Sequence, residues 1–205
     1  MVPTQLNEIA EFLKTNPYNL SQPLQDGRLN SSVNEEEILN TIKGNFPIQL
    51  PRAREWWDFS FEENKIFYPV NIKTTTTKTA DNLNGKLGIY YALCGLLPEF
   101  NNEIAWEKYF HKLHKDLGTN TDRDYYFLII NKNDPKDVFI NSLKGIQTLQ
   151  PNNLPFQCKW DNNRKIVQRS FIESKNFILS ALAESVKLRA NIYLTFKEFF
   201  GGFFE

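Results

Sequence analysis

Cysteine, methionine, histidine and net charge are all scarce in this chain. Its 205 residues include two cysteines, one methionine and two histidines, and 24 basic residues face 24 acidic ones. Cys94 and Cys158 lie far apart among apolar neighbours without CxxC spacing. That excludes a disulfide framework and a thiolate metal site, and it predicts reduced core thiols in a cytoplasmic protein. His111 and His114 are three residues apart on a charged stretch, a spacing that a metal could use and that exposed helix positions share. No segment approaches the roughly 18 consecutive apolar residues of a membrane span, and no basic region with an apolar run opens the chain. The expectation is a protein neither exported nor membrane-spanning. Balanced charge removes any global field for a polyanion, so contact with nucleic acid would have to rest on local clustering.

Aromatic residues are plentiful, at 14%. A chain of this length buries about 70% of its unfolded surface and fits one domain, residues 1–205. The most informative stretch joins two runs, Trp57-Asp58-Phe59-Ser60-Phe61 and Phe67-Tyr68-Pro69-Val70-Asn71-Ile72-Lys73. The polar quartet Glu62-Glu63-Asn64-Lys65 between them predicts a β-hairpin. Strand residues alternate between faces, so Asn71 and Lys73 share one face and Val70 and Ile72 the other. Asp58 begins the partner strand, where pairing brings its carboxylate towards Asn71 and Lys73.

A carboxylate, an amide and a lysine converging at one sheet edge resemble the active site of the PD-(D/E)XK nuclease superfamily, and of type II restriction endonucleases in particular. In that pattern an Asp opens one hairpin strand, and Asp or Glu, any residue, and Lys follow on the next. Asp58 matches the first position and Asn71-Ile72-Lys73 the second; Asn71 departs from the acid that most members carry. The resemblance implies catalysis by Asp58, Asn71, Lys73 and Glu35, with Mg²⁺ held by Asp58, the Ile72 backbone carbonyl and Glu35. It implies double-stranded DNA as partner and a homodimer that cuts both strands of a palindrome.

Glu35 lies on a predicted helix from Ser32 to Gly44, in line with Val33, Ile38, Leu39 and Ile42. A carboxylate on an apolar stripe needs a polar partner. Two alternatives stand: an acid brought to the metal, or a capping box Ser32-x-x-Glu35 that only closes the helix start. Whether Glu35 or Glu36 faces the site turns on one helical turn.

In chain order, a helix is predicted over Gln5 to Lys14, loop over Tyr18 to Asn30, and a short strand over Phe46 to Leu50. Further helices are predicted over Lys86 to Leu97 and Asn101 to Leu117. The continuous apolar run Tyr125 to Ile130 reads as a central strand buried on both faces. Helix, short strand, hairpin, helices and buried strand over residues 31–132 match the αβββαβ order of the superfamily core. The fold class is therefore α/β, mixed α+β, with a central mixed sheet flanked by helices.

For DNA contact the candidates are Arg52 and Arg54 before the hairpin, and Thr74, Thr75, Thr76, Thr77, Lys78 and Asn82 beyond Lys73. Residues 133–170 read as polar loops that carry Lys159, Arg164 and Lys165, with Gln157 and Arg169 as further base-reading types. Phe171 to Phe200 reads as a long helix for the core or a dimer seam, and the tail Phe199-Phe200-Gly201-Gly202-Phe203-Phe204 should dock on this chain or a second copy. Two other functions share the features: a nuclease-like DNA-binding module without activity, and a repair or recombination nuclease that reads DNA shape.

Overall fold

The structure, a computed structural model, describes residues 2–16, 27–52, 55–83, 85–100, 104–152 and 155–203. The predicted loop over Tyr18 to Asn30 falls mostly outside the described residues. The hairpin forms from β1 (Phe59–Glu63) and β2 (Ile66–Thr75), paired antiparallel from Phe59↔Val70 to Glu63↔Ile66. Its turn is only Asn64-Lys65, both at positive φ (54° and 63°), the two-residue turn whose twist matches the strands it joins.

Helices α1 (Thr4–Thr15) and α2 (Gly27–Lys43) precede the hairpin; after β2 the chain forms a short strand, β3 (Ala80–Leu83), and then helices α3 (Lys86–Cys94) and α4 (Trp106–Asp116). β4 (Tyr126–Asn131) then pairs parallel with β2, from Val70↔Tyr126 to Thr75↔Asn131, and β5 (Asp134–Ser142) returns antiparallel to β4. The result is a four-stranded mixed sheet of order β1-β2-β4-β5. β3 instead joins β6 (Gln150–Pro151) and β7 (Phe156–Lys159) in a second sheet of order β3-β7-β6. α5 (Phe171–Phe200) follows.

The core has two sides, as the β4 run predicts. Tyr126, Leu128 and Ile130 face a cluster built with Leu6, Ile9 and Leu13 of α1 and Ile38 and Ile42 of α2. Tyr125, Phe127 and Ile129 face the other, with α3, α4, Trp160 and Ile178 and Leu182 of α5. Gly88 on α3 admits the Tyr125 ring: a Cβ there would stand 2.3 Å from its Cδ1. α1 begins against the hairpin, where Thr4 N and Gln5 N donate to the two oxygens of Glu63 at 3.1 and 3.0 Å.

Several expectations need correction. Phe46 to Leu50 makes no strand, only the bridge Gln49↔Ser60. Residues 133–170 are not plain loops: β5, β6, β7 and a 3-10 turn at Trp160–Asn163 occupy much of them. Polar residues are tolerated in β5 because it is an edge strand. α3 stops at Cys94, where Gly95 takes a left-handed conformation (φ 72°) and its N–H caps Tyr91 O, so Leu96 and Leu97 are exposed. α4 starts at Trp106, not Asn101. α5 does form over Phe171 to Phe200 as one unbroken helix, while nothing in the described chain covers Phe199 (71% exposed) or Phe203 (83%), so the tail does not dock on this chain there. Among the described residues no helix is long and apolar enough to cross a membrane.

Candidate active site

Asp58 sits one residue before β1, with its N–H donating to Val70 O at 2.9 Å. The ladder thus fixes its backbone, and its carboxylate turns across to β2. Asp58 Oδ2 accepts from Asn71 Nδ2 at 2.8 Å and from the Ile72 N–H at 2.6 Å. Both described hydrogen bonds end on Oδ2, which leaves Oδ1 for another partner. β1 begins at Phe59, opposite Val70, so no β1 residue pairs with Ile72. A strand residue's N–H and C=O leave on the same side, so the Ile72 carbonyl is on the side of Asp58.

Lys73 follows on the face it shares with Asn71, and the two line one cleft of about 240 Å³ with Asp58, Glu55, Trp56, Asn82 and Tyr125. Lys73 Nζ donates to Asn82 O at 3.2 Å. Tyr125 closes the floor, its hydroxyl donating to Trp56 O at 2.7 Å. Trp56 packs against Phe67, Tyr91 and Tyr125, so its role is packing.

Glu35 belongs to this neighbourhood. Burial first, then the charge of Asp58, pushes its carboxyl up to about 7; Lys73 and Lys132 pull the other way, and Asp81 adds to the rise. Burial likewise raises the Asp58 carboxyl, opposed by the Ile72 N–H and by Lys73. Glu36 is exposed, whereas Glu35 is half-buried and feels the charges of Asp58 and Lys73. α2 begins at Gly27, ahead of Ser32, which removes the capping-box alternative.

The donor set suits a hard divalent cation in a limited way. Mg²⁺ takes oxygen ligands and is held through one or two carboxylates with waters completing the shell. Asp58 and Glu35 offer two carboxylates, and the charge of Asp58 is one of the causes that raise the Glu35 carboxyl. No ready-made cage exists: among the described residues no three His, Cys, Asp or Glu side chains gather as a metal-holding group. His111 and His114 are both exposed on α4.

The expected DNA-contacting residues fare unevenly. Thr74, Thr75 and Thr77 are buried, so the threonine run does not form a row of exposed hydroxyls. Thr74 and Thr75 end β2 inside the fold, and Thr76 shares a 3.0 Å hydrogen bond with Thr79. Arg164 is committed to Asp137 and Asp161 at 2.8 Å each, and lies 4.8 Å over the Phe139 ring. Arg169 donates to Lys144 O and Ile146 O. Arg52, Lys78, Asn82, Lys159 and Lys165 are exposed, and Arg54 lies outside the described residues. Asn82 lines the cleft, and its side-chain oxygen accepts from Asn152 Nδ2.

Two neighbours of the site had no signal in the sequence. Asp81 and Trp160 reach it through the second sheet, and nothing local in Asp81-Asn82 distinguishes an active-site acid from a turn. The sequence matches no protein-family model, and no curated protein is similar to it.

Proposed function

We propose that the chain is a Mg²⁺-dependent nuclease of PD-(D/E)XK type, a type II restriction endonuclease that hydrolyses phosphodiester bonds of double-stranded DNA at a defined sequence. The observation that carries this reading is the meeting of Asp58, Asn71 and Lys73 at one end of the β1–β2 hairpin, over a cleft, with Glu35 half-buried beside them. A mixed four-stranded sheet flanked by helices is the setting that a restriction-endonuclease-like core would give these residues.

Asp58 and Glu35, with the Ile72 carbonyl, would hold the ion. Bound Mg²⁺ would supply polarisation of the scissile phosphate and a more acidic attacking water. Asn71 keeps Asp58 Oδ2 occupied, which turns Oδ1 to any ligand. Lys73 places a positive charge where negative charge grows on phosphate as the bond to water forms, and it orients that water. Exposed Lys78 and Lys159 would meet backbone phosphates. One such site nicks one strand, so cutting both includes a homodimer in the reading. DNA as substrate and two buried free thiols suit the cytoplasm.

A binding module without activity is the second reading, favoured by Asn71, which donates to Asp58 and carries no charge. Digestion of long unmethylated duplex DNA with purified protein separates them, in Mg²⁺ and in EDTA, with Asp58→Ala and Lys73→Ala alongside. Discrete Mg²⁺-dependent fragments lost in both variants are the expected outcome. Cleavage without sequence preference would favour a repair or recombination nuclease. A folded wild type that cuts no DNA, with Mn²⁺ also tried, leaves the binding module.

A further inference from the structure

Asn71 leaves the site one negative charge short, yet a carboxylate lies against Lys73 from a different sheet. Asp81 Oδ1 is 3.8 Å from Lys73 Nζ, with the two side chains only 24% and 19% exposed. The other oxygen, Oδ2, accepts the indole N–H of Trp160 at 2.8 Å, and Trp160 is fully buried. The next residue offers Asn82 O to the same ammonium at 3.2 Å. β3 therefore grips Lys73 twice, by a charge and by a carbonyl. Its own place is fixed by the register Asp81↔Cys158 with β7. A lysine is a point charge on a flexible four-carbon stem, so without such partners it would spread over many rotamers.

We propose that Asp81 is the positioning residue for Lys73, supplying from the second sheet the negative charge that Asn71 lacks and holding the ammonium at the cleft. This rests on the nuclease reading of the same site. Trp160 alone does not require an acid, since any carbonyl oxygen would accept its N–H. The charge matters to the site instead: Asp81 is one of the groups that raise the Glu35 carboxyl, and it balances Lys73 between them.

The test compares single-turnover cleavage in Mg²⁺ with DNA affinity in Ca²⁺ for the full chain, using Asp81→Asn, Asp81→Glu, Lys73→Ala and the double variant K73A/D81N. D81N removes the charge and keeps an acceptor for Trp160. Misplacing a reacting group by about 1 Å costs on the order of 100-fold, and D81N cleavage should fall by about that much. Its DNA affinity should be unchanged or tighter, because a negative charge has gone. D81E should recover most of the rate. In the K73A background D81N should add nothing, since a residue acting through Lys73 has no effect without it.

D81N cleaving like wild type would overturn the proposal, as would equal losses from D81N with and without Lys73, or a rate loss matched by weaker DNA binding. If melting shows that D81N is unfolded, Asp81→Gln makes the same comparison with a neutral acceptor. A wild type without cleavage fails earlier and separately, and it removes the nuclease reading together with this proposal.

Discussion

Asn71 donates its amide hydrogen to Asp58 Oδ2 at 2.8 Å, so the residue that departs from the acidic pattern is bonded to the acid that keeps it. Asn71→Asp would exchange that bond for two facing carboxylates in a half-buried cleft. The variant should lose about 1–3 kcal/mol of stability in EDTA. Mg²⁺ should then raise its melting temperature more than that of wild type, which thermal melts with and without the ion would measure. Equal Mg²⁺ shifts for both proteins would argue against a cation between these residues.

Gly88 and Tyr125 make a close approach that shapes the cleft floor. The ring cannot swing aside freely, because its hydroxyl is tied to Trp56 O. Gly88→Ala should therefore destabilise the fold by about 1–3 kcal/mol, the usual result of overpacking a tight core. Chemical denaturation would show a lower midpoint; an unchanged one would mean that the ring gives way.

Arg164 serves the fold. Its two terminal nitrogens meet the two Asp137 oxygens at 2.8 Å each, and this holds the Asp137 carboxyl below the ordinary carboxylate range. A depressed folded pKa gives stability that is present above the unfolded value near 4 and lost as pH falls through the folded one. Arg164 is 40% exposed, so Arg164→Ala should cost only about 1 kcal/mol at pH 7. That penalty should shrink as pH falls below the unfolded value near 4. Melting curves across that range check the sign.

Lys78 and Lys159 are exposed at one end of the β3–β7 ladder, where Ala80 pairs with Lys159 and Lys78 lies two residues before Ala80. If both contact phosphates, Lys78→Ala and Lys159→Ala should each weaken DNA binding at all sequences alike. Each should lower the slope of log affinity against log salt by about 1. Affinity titrations at several salt concentrations would show this, and Arg164→Ala should leave the slope as it is.

Asp58, Asn71 and the face that Lys73 takes on β2 were legible in the sequence because the backbone that places them is local. A hairpin with a short turn and a two-residue period determines faces and neighbours within a few residues, and the apolar run of β4 announces its burial on both sides. Glu35 was legible only in part: its alignment with Ile38 and Leu39 marked the inward face, while the start of α2 at Gly27, which removes the capping alternative, was not visible. The burial of Thr74 and Thr75 does not show in the sequence, because hydroxyl residues in strands carry no mark of which layer covers them. β5 was missed because its opening residues, Asp134-Pro135-Lys136, have turn composition and become a strand only beside β4.

The sequence by itself determined the hairpin, the acid and amide that meet across it, and the central strand, since backbone geometry and alternation act over neighbouring residues. Tertiary structure alone decided that Asp81 meets Lys73, that Trp160 holds Asp81, and that Arg164 is spent on Asp137. Those pairings join residues far apart in the chain through sheet register and layer packing, which no local period encodes.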